Sequence, residues 1–278
     1  MKKIITGLVF VVGTLLVGYG DSVQDSQASD KGQKSTLLEA LQILQKGKWI
    51  DLTHSVTPEI PRFGAFPALE IETPYTVAKD GFFVNKISFV TQYGTHIDVP
   101  IHFVDGKRTL EQIELKELIL PLVVINKEKE VEANPQFILS AQDVLDWEAQ
   151  YGRIPQGSFV AFASGWGKRF GKSDFSNKDA PGNPQTPGWS IEALDLVLNQ
   201  RGATAIGHET FDTDGSADVA KNGFFESEKF VLAQDKFQLE ILNNLTLLPP
   251  KGGIIVIGVP KFEGFPGFPV RAFAIVPD

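Results

Sequence analysis

The chain has 278 residues, 42% of them hydrophobic and 22% charged, an ordinary globular composition that excludes collagen-like, coiled-coil and wholly disordered chains. Its formal charge is −8, and once the first twenty residues with Lys2 and Lys3 are set aside, 24 basic residues face 34 acidic ones, so the basic footprint of a nucleic-acid binder is missing. There is no cysteine, which removes disulfide frameworks, thiolate zinc sites, iron–sulfur clusters and cysteine nucleophiles, and leaves His, Asp, Glu, Gln and backbone oxygen as metal donors.

Lys2 and Lys3 precede an apolar or small-residue run over residues 4–18, and a polar stretch opens at Asp21. A spanning helix needs roughly 20 apolar residues, so residues 1–20 read as a secretory signal peptide, with Gly18 and Gly20 as the small pair before the cleavage point. The run over residues 15–20 resembles a bacterial lipoprotein signal, but Tyr19 stands where the lipidated cysteine would be. The expectation is export to the periplasm or the medium with no stable membrane anchor; the alternative is an uncleaved N-terminal anchor. Residues 21–34 are polar and predict a flexible tether. Thr36 and Glu39 form a capping box ahead of Leu37, Leu38, Leu41, Ile43 and Leu44, and Gly47 follows, so residues 21–47 predict a tether and one short helix.

From Trp49 the pattern changes to short apolar runs separated by Pro and Gly. Residues 84–90, 118–125, 158–163, 203–206, 254–259 and 270–276 predict strands by length and by Val, Ile and Phe content. One helix is predicted after Ser140 (Val144, Leu145, Trp147) and another after Ser190 (Ile191, Leu194, Val197, Leu198), stopped by Gly202. Residues 179–188 are a Pro- and Gly-rich loop. No regular βαβ rhythm and no dividing linker is visible, so residues 48–278 predict a single α/β domain with a mixed sheet rather than a doubly wound nucleotide fold. Two motifs fail. Gly171-Lys172-Ser173 lacks the leading glycine of a phosphate loop, since position 166 is Trp166, and Phe162 occupies the first glycine position of a nucleophile elbow around Ser164.

The four histidines are His54, His96, His102 and His208. Two of them fall in the eleven residues from Gln92 to His102, with Asp98 between. Side chains at i and i+2 of an extended chain share a face, so Gln92, His96, Asp98 and His102 have one parity, and His96 and Asp98, about 6.6 Å apart along a strand, can converge on one ion. Gln92 and His96, about 13 Å apart in a flat strand, converge only through a bend, which Gly94 permits. Pro100 forbids an ordinary central ladder and places His102 at an edge or mouth. Imidazole with carboxylate and amide oxygens suits Zn²⁺ or Mn²⁺ with water in the open position. The competing reading is a set of satisfied polar residues at a strand end.

Gly94-Thr95-His96-x-Asp98-x-Pro100-x-His102 resembles the signature of the cyclase family of metal-dependent hydrolases, which includes bacterial kynurenine formamidases and isatin hydrolases. Asp51-Leu52-Thr53-His54 with Pro58 and Pro61 resembles the family's opening strand and turn, Ser164-Gly165-Trp166 its Thr-Gly-Trp, Gly207-x-Glu209-Thr210 with Asp214 its Gly-x-Asp-Thr segment, and Val270-Arg271-Ala272 its closing strand. The resemblance implies a swivelling β/β/α fold, one or two zinc or manganese ions, hydrolysis of an amide attached to or closing an aromatic system, and a homodimer or homotetramer acting on a small molecule. By position it implies His96 and Asp98 as metal ligands and His102 as general acid or base. Gln92 stands at the first histidine of the motif, and Glu228 and Glu240 match the family's later His and Glu, so Gln92, Glu228 and Glu240 are further candidate ligands. A carboxylate and an amide in place of two imidazoles make the site oxygen-rich and favour Mn²⁺.

His208, at the end of a predicted strand, is a candidate substrate or supporting contact, with a hydrogen-bonded core histidine as the alternative; His54 is expected to be structural. Phe63, Phe66, Phe265 and Phe268, in Gly- and Pro-rich segments, are candidates for the wall of an apolar pocket, with packing of loops onto the sheet as the alternative. The sequence thus points to a hydrolase of a carboxamide or cyclic amide. The alternatives are a binding protein that has kept the fold without the catalysis, or a cyclase or dehydratase using the same site.

Overall fold

The computed structural model describes residues 27–278 except residue 173, with side chains described from residue 36 onward. The expected signal peptide lies outside the described residues, as does the start of the expected tether. Helix α1 runs over Gln27–Lys46, so residues 27–34, expected as tether, are helical, and the helix begins well before Thr36. No proline interrupts this stretch, and Gln27, Ala28, Lys31, Gln33 and Lys34 favour helix while Ser29, Asp30, Gly32 and Ser35 weigh against it. Lys46 in the last turn suits the helix dipole, and Gly47 follows the end as expected. Contacts within the chain divide it into two units, Met1–Gln45 and Lys46–Asp278. No helix among the described residues is long and apolar enough to cross a membrane.

The second unit begins with β1 (Lys48–Asp51), followed by β2 (Glu70–Tyr75), the single turn α2 (Val77–Asp80) and β3 (Val84–Ser88). Next come β4 (His96–Asp98) and a 3₁₀ turn at Pro100–His102. The middle of the chain holds β5 (Ile119–Asn126), α3 (Glu128–Ala133), β6 (Ile138–Leu139), α4 (Ala141–Tyr151), β7 (Phe159–Ala163), β8 (Gly188–Trp189) and α5 (Ile191–Asp195). The last part holds β9 (Ala205–His208), α6 (Ser216–Asn222), α7 (Glu226–Ala233), β10 (Phe237–Glu240), β11 (Gly253–Gly258), β12 (Gly267–Pro269) and β13 (Arg271–Val276).

Nine strands form one sheet in the order β1-β13-β11-β5-β7-β9-β10-β4-β12. The central four, β5, β7, β9 and β10, are parallel, and every flanking pair is antiparallel, which gives the mixed sheet expected from the sequence. Alternate residues of the central strands enter two different cores: Val123, Ile125, Val160, Phe162 and Ile206 pack with Trp147 and Leu194 of α4 and α5, while Leu122, Val124, Phe159, Ala161 and Leu239 pack with Ile50, Ile97, Ile255 and Ala272. The second group joins residues from both ends of the strand order, so the sheet is curled onto itself. That curl lets β4, next to the far edge, be buried and lets Phe268 of the edge strand β12 pack against the core.

Local chemistry sets the two helices foreseen in the sequence. Ser140 and Asp143 form a reciprocal capping box at the start of α4, with Val144 and Trp147 buried three residues apart. Ser190 caps α5 through the Ala193 N–H; the helix continues as a π turn over Leu196–Gln200 and ends before Gly202. Strands β2 and β3 stand apart as a two-stranded ribbon.

Candidate active site

The site is built where β4 meets β10. The antiparallel register sets Glu240 opposite His96 and Gln238 opposite Asp98. Because side chains alternate, His96, Asp98, Gln238 and Glu240 all project from one face, while Ile97 and Leu239 project into the core on the other. Gly94 turns the chain into β4 with φ +66°, and an added Cβ there would meet Val56 at 3.1 Å, so the bend requires glycine in two ways. Pro100 opens the 3₁₀ turn that carries His102 back towards Asp98. Glu228 comes from the first turn of α7, whose leading N–H groups are held by Asp214: its two carboxylate oxygens accept from Ser227 N at 2.8 Å and Glu228 N at 2.9 Å.

Two groups of ligating atoms share Asp98. His96, Asp98 and Glu240 form one, and Asp98, His102 and Glu228 the other, each with its atoms within 4.8 Å of one another. His96 Nδ1 donates to the Gly94 carbonyl at 2.8 Å, which turns Nε2 towards Asp98 Oδ2 and Glu240 Oε2, both at 3.4 Å. His102 Nε2 stands 3.9 Å from both Asp98 Oδ1 and Glu228 Oε1. Both Asp98 oxygens are buried without a hydrogen-bond partner. A buried carboxylate is ordinarily paired or bound to metal, and an imidazole nitrogen aimed between two carboxylates has the geometry of a ligand. The residues present therefore fit a divalent cation.

Electrostatics point the same way. Burial, with Asp98, Asp212 and Asp214 nearby, pushes the Glu228 and Glu240 carboxyls well above the usual range, and the charge of Glu228 adds to the push on Glu240. Burial also works to raise Asp98, but His96 and His102 outweigh it and hold that group low. Asp212 is pushed up to about 7 by burial and by the charges of Asp214 and Asp98. The cluster holds more negative charge than its histidines can balance, and a cation would relieve it.

The ligating groups face a cavity of about 290 Å³, lined by Gln92, His96, His102, Asp212, Glu228 and Glu240 on its polar side. Phe63, Phe66, Phe103, Phe211 and Phe225 line the rest, with Arg62 also on the wall. The Phe63 and Phe66 rings lie 5.3 Å apart, and Phe63 and Phe225 meet edge-on at 6.4 Å. Of the four phenylalanines expected at a pocket, Phe63 and Phe66 line this cavity, whereas Phe265 and Phe268 pack against the core of the sheet. Gln92 also lines the cavity: its Oε1 accepts from Thr91 Oγ1 at 2.5 Å and its Nε2 is buried without a partner, so this amide presents N–H.

His208 does not line the cavity. It is buried behind Glu240, 3.7 Å from Oε1, with Nε2 at 3.1 Å from Thr213 Oγ1 and Nδ1 at 3.2 Å from Thr210 Oγ1, and burial lowers its pKa to about 3. A direct substrate contact is therefore replaced by a supporting position. The neutral ring donates to Thr213, Thr213 donates to Gln238 Oε1 at 2.6 Å, and Gln238 donates to Glu240 Oε1 at 2.9 Å. His54 stacks on Phe170 with ring centroids 3.8 Å apart, and its backbone N–H donates to Thr95 Oγ1. Thr95 in turn donates to the carbonyl of Ile241, which sits next to Glu240 with φ +53°. That conformation is costly for a β-branched residue and is held by hydrogen bonds on both sides, since Ile241 N also donates to Thr210 O.

The sequence reading missed Asp212, Gln238, Thr213, Phe103, Phe211 and Phe225. Gln238 could have been found from the alternation Phe237-Gln238-Leu239-Glu240, which is a strand pattern with two polar residues on one face. Asp212 lies in a loop and carries no periodic signal. Glu209, noted only as part of a motif, is fully engaged in structure: it accepts from the N–H and hydroxyl of Ser164 at 2.8 and 3.0 Å and anchors the Ser164-Gly165-Trp166 turn.

Comparison with known proteins agrees with this geometry. Residues 50–215 match the model of a family described as putative cyclase. An isatin hydrolase from Roseibium aggregatum is 33% identical over 218 residues, spanning 76% of this chain and 82% of that protein. The structure of isatin hydrolase A from Labrenzia aggregata bound to benzyl benzoate superposes with a TM-score of 0.80 at 26% identity, over 88% of this chain and 100% of that one. An isatin hydrolase bound to the product analogue thioisatinate superposes with a TM-score of 0.78 at 29% identity, over 92% and 100%. Matched by the family model over residues 50–215 and 33% identical to an isatin hydrolase over 76% of its length, this chain belongs to the cyclase family of metal-dependent hydrolases.

Proposed function

We propose that this protein hydrolyses an amide bond in a small, flat aromatic compound, and that opening the five-membered lactam of isatin is the model reaction. The observation that carries the reading is the convergence of His96, Asp98 and Glu240 on one another, with His96 and Glu240 lining a cavity walled by phenylalanines. Its volume, at the small end for ligand sites, suits a one- or two-ring molecule. Similarity to isatin hydrolases supports the choice of substrate class.

Hydrolysis adds the oxygen of water to the acyl carbon, breaks the C–N bond and gives the departing nitrogen a proton. His96, Asp98 and Glu240 would hold one divalent cation, and Asp98 also stands beside His102 and Glu228. Such a cation supplies Lewis acidity at the carbonyl and lowers the pKa of water. Phe63, Phe66 and Phe225 orient the aromatic plane and exclude bulk water. The Gln92 N–H, buried and unpaired, is placed to donate to a substrate oxygen. His102, about a quarter exposed on the cavity side, carries the proton towards the leaving nitrogen. An oxygen-rich donor set without thiolate favours Mn²⁺ over Zn²⁺. The swivelling β/β/α description of the fold, an export signal over residues 1–20 and assembly into a homodimer or homotetramer belong to the same proposal.

Elemental analysis of the purified protein beside its His96→Ala and His102→Ala variants, paired with an isatin-opening assay, tests it. His96→Ala should lose both metal and turnover, whereas His102→Ala should keep metal and lose at least about 100-fold in kcat. A wild-type protein that takes up neither Mn²⁺ nor Zn²⁺ would leave a binding protein on a hydrolase fold.

A further inference from the structure

Arg62 is the single arginine or lysine on the lining of the active-site cavity, which also carries Asp212, Glu228 and Glu240. It belongs to a turn in which Phe66 N donates to Phe63 O at 2.9 Å, and its own Nε donates to Phe66 O at 3.1 Å. One N–H thus ties the side chain across the turn, beside the two phenylalanines that wall the cavity. The two terminal nitrogens of the guanidinium donate to no group among the described residues. Most other arginines are paired: Arg108 with Glu117 and Asp235, Arg169 with Asp174, Arg201 with Glu148 and Arg271 with Asp51. Arg62 has no carboxylate partner among the described residues, although three acids share its cavity.

A second cation stands near the lining. The Lys229 ammonium lies over the Phe224 ring at 5.5 Å, and Phe224 meets Phe103 and Phe225, both on the lining, at 5.8 and 6.2 Å. Unpaired positive charge around a cleft draws anions towards it.

We propose that Arg62 recognises a carboxylate on the substrate, so that the compounds turned over in nature are aromatic amides or lactams with an acid group on the ring edge away from the bond that is cleaved. The proposal rests on the amide-hydrolase reading above and narrows its substrate. His96 and Glu240 come from β4 and β10, and Arg62 from a separate turn, so a molecule that spans the cavity meets different chemistry at its two ends. The acyl group faces the ligating side chains and the acid faces the guanidinium. Two terminal nitrogens of one guanidinium match the two oxygens of a planar carboxylate. One guanidinium offsets one charge, and the acids on the same lining disfavour a dianion, which selects a carboxylate over a phosphate monoester.

The test is steady-state kinetics of the Mn²⁺-loaded full chain and its Arg62→Gln and Arg62→Lys variants. The substrates are the isatins that carry a carboxylate at either benzene-ring position farthest from the lactam, each beside its neutral carboxamide. In wild type at least one acid should exceed its carboxamide by about tenfold or more in kcat/KM, through KM. Arg62→Gln should abolish that ratio, and Arg62→Lys, which keeps the charge without the fork, should retain only part of it. Because each acid is divided by its own carboxamide, general damage to the wall cancels. No preference for either acid in wild type, or a preference that Arg62→Gln leaves intact, overturns the proposal. If no isatin is opened, the hydrolase reading fails, and calorimetric titration of the same pairs decides the role of Arg62 alone. An acid bound about tenfold tighter than its carboxamide by wild type and equally by Arg62→Gln upholds it; equal binding by wild type, or none, overturns it.

Discussion

Thr213 touches no part of the cavity, yet its hydroxyl is the link through which His208 reaches Glu240. Partners of this kind orient ligating groups, and their loss commonly costs 10- to 100-fold in metal affinity. Thr213→Val keeps the shape and removes the link, so Mn²⁺ affinity, read by titration against a chelating dye, should fall by about tenfold or more. Unchanged affinity would mean that Glu240 is held by its strand alone. His54 offers a pH-dependent prediction. Burial is the main cause of its low pKa of about 4, partly offset by a hydrogen bond to Leu242 and the charge of Asp51, against 6.5 when free. The unfolded chain therefore binds a proton at this residue across that window while the folded chain does not, and stability is lost as pH falls from about 6.5 towards 4. In His54→Gln the melting temperature should drop less over the same window than in wild type. At this scale the motif from Gln92 to His102 was legible, because strand parity and two bend-forming residues suffice to bring its polar groups together. Asp212 was not, since only tertiary packing brings that loop against Asp98 and Asp214.

Strand β12 is three residues long and supplies no ligand, but its Gly267 lies opposite Asp98. A Cβ there would stand 2.2 Å from the Ile97 carbonyl, 2.9 Å from Gln92 Nε2 and 3.1 Å from Asp98 Oδ1. Gly267→Ala must therefore displace β12 or both polar groups. Overpacking of this sort costs about 1–3 kcal/mol; the variant should melt lower and bind Mn²⁺ more weakly, and a crystal structure with β12, Asp98 and Gln92 all undisturbed would refute the assignment. Elements whose identity rests on local signals were visible in the sequence: the caps at Ser140 and Ser190, and the long apolar runs of β5 and β13. Strands β4, β10 and β12 have three or four residues each, too few for periodicity to separate them from loops, and they are strands because neighbours complete their ladders. The early start of α1 escaped for the opposite reason, since a polar sequence without breakers is compatible with both helix and tether.

For the molecule as a whole, the acidic cluster makes the fold depend on what it binds. A ligand held by the folded chain alone stabilises it by about 2.7 kcal/mol at a hundred times its dissociation constant. Chelation should therefore lower the melting temperature, and Mn²⁺ should restore it. The pH dependence has a definite sign. Burial and neighbouring acids raise Glu228 and Glu240, so the metal-free fold is best tolerated while they are protonated and is penalised as rising pH ionises them. With a cation in place that charge is balanced, and the gap between loaded and chelated protein should widen from pH 6 to pH 8; a constant gap would show that these carboxylates are not ligands. The α/β class and the mixed sheet could be read from alternating apolar runs and capped helices. The curl could not, because it depends on which distant strands pair.

His96 and Glu240 face each other across two adjacent strands although just over half the chain lies between them, and Gly267 closes the same corner from still further along. Such a site has no partial form. During synthesis the first two donors emerge long before the third, and an ion cannot template the early chain. The ion that fills the site is the one available where folding finishes, so the compartment, as much as the donor set, decides which metal this enzyme carries.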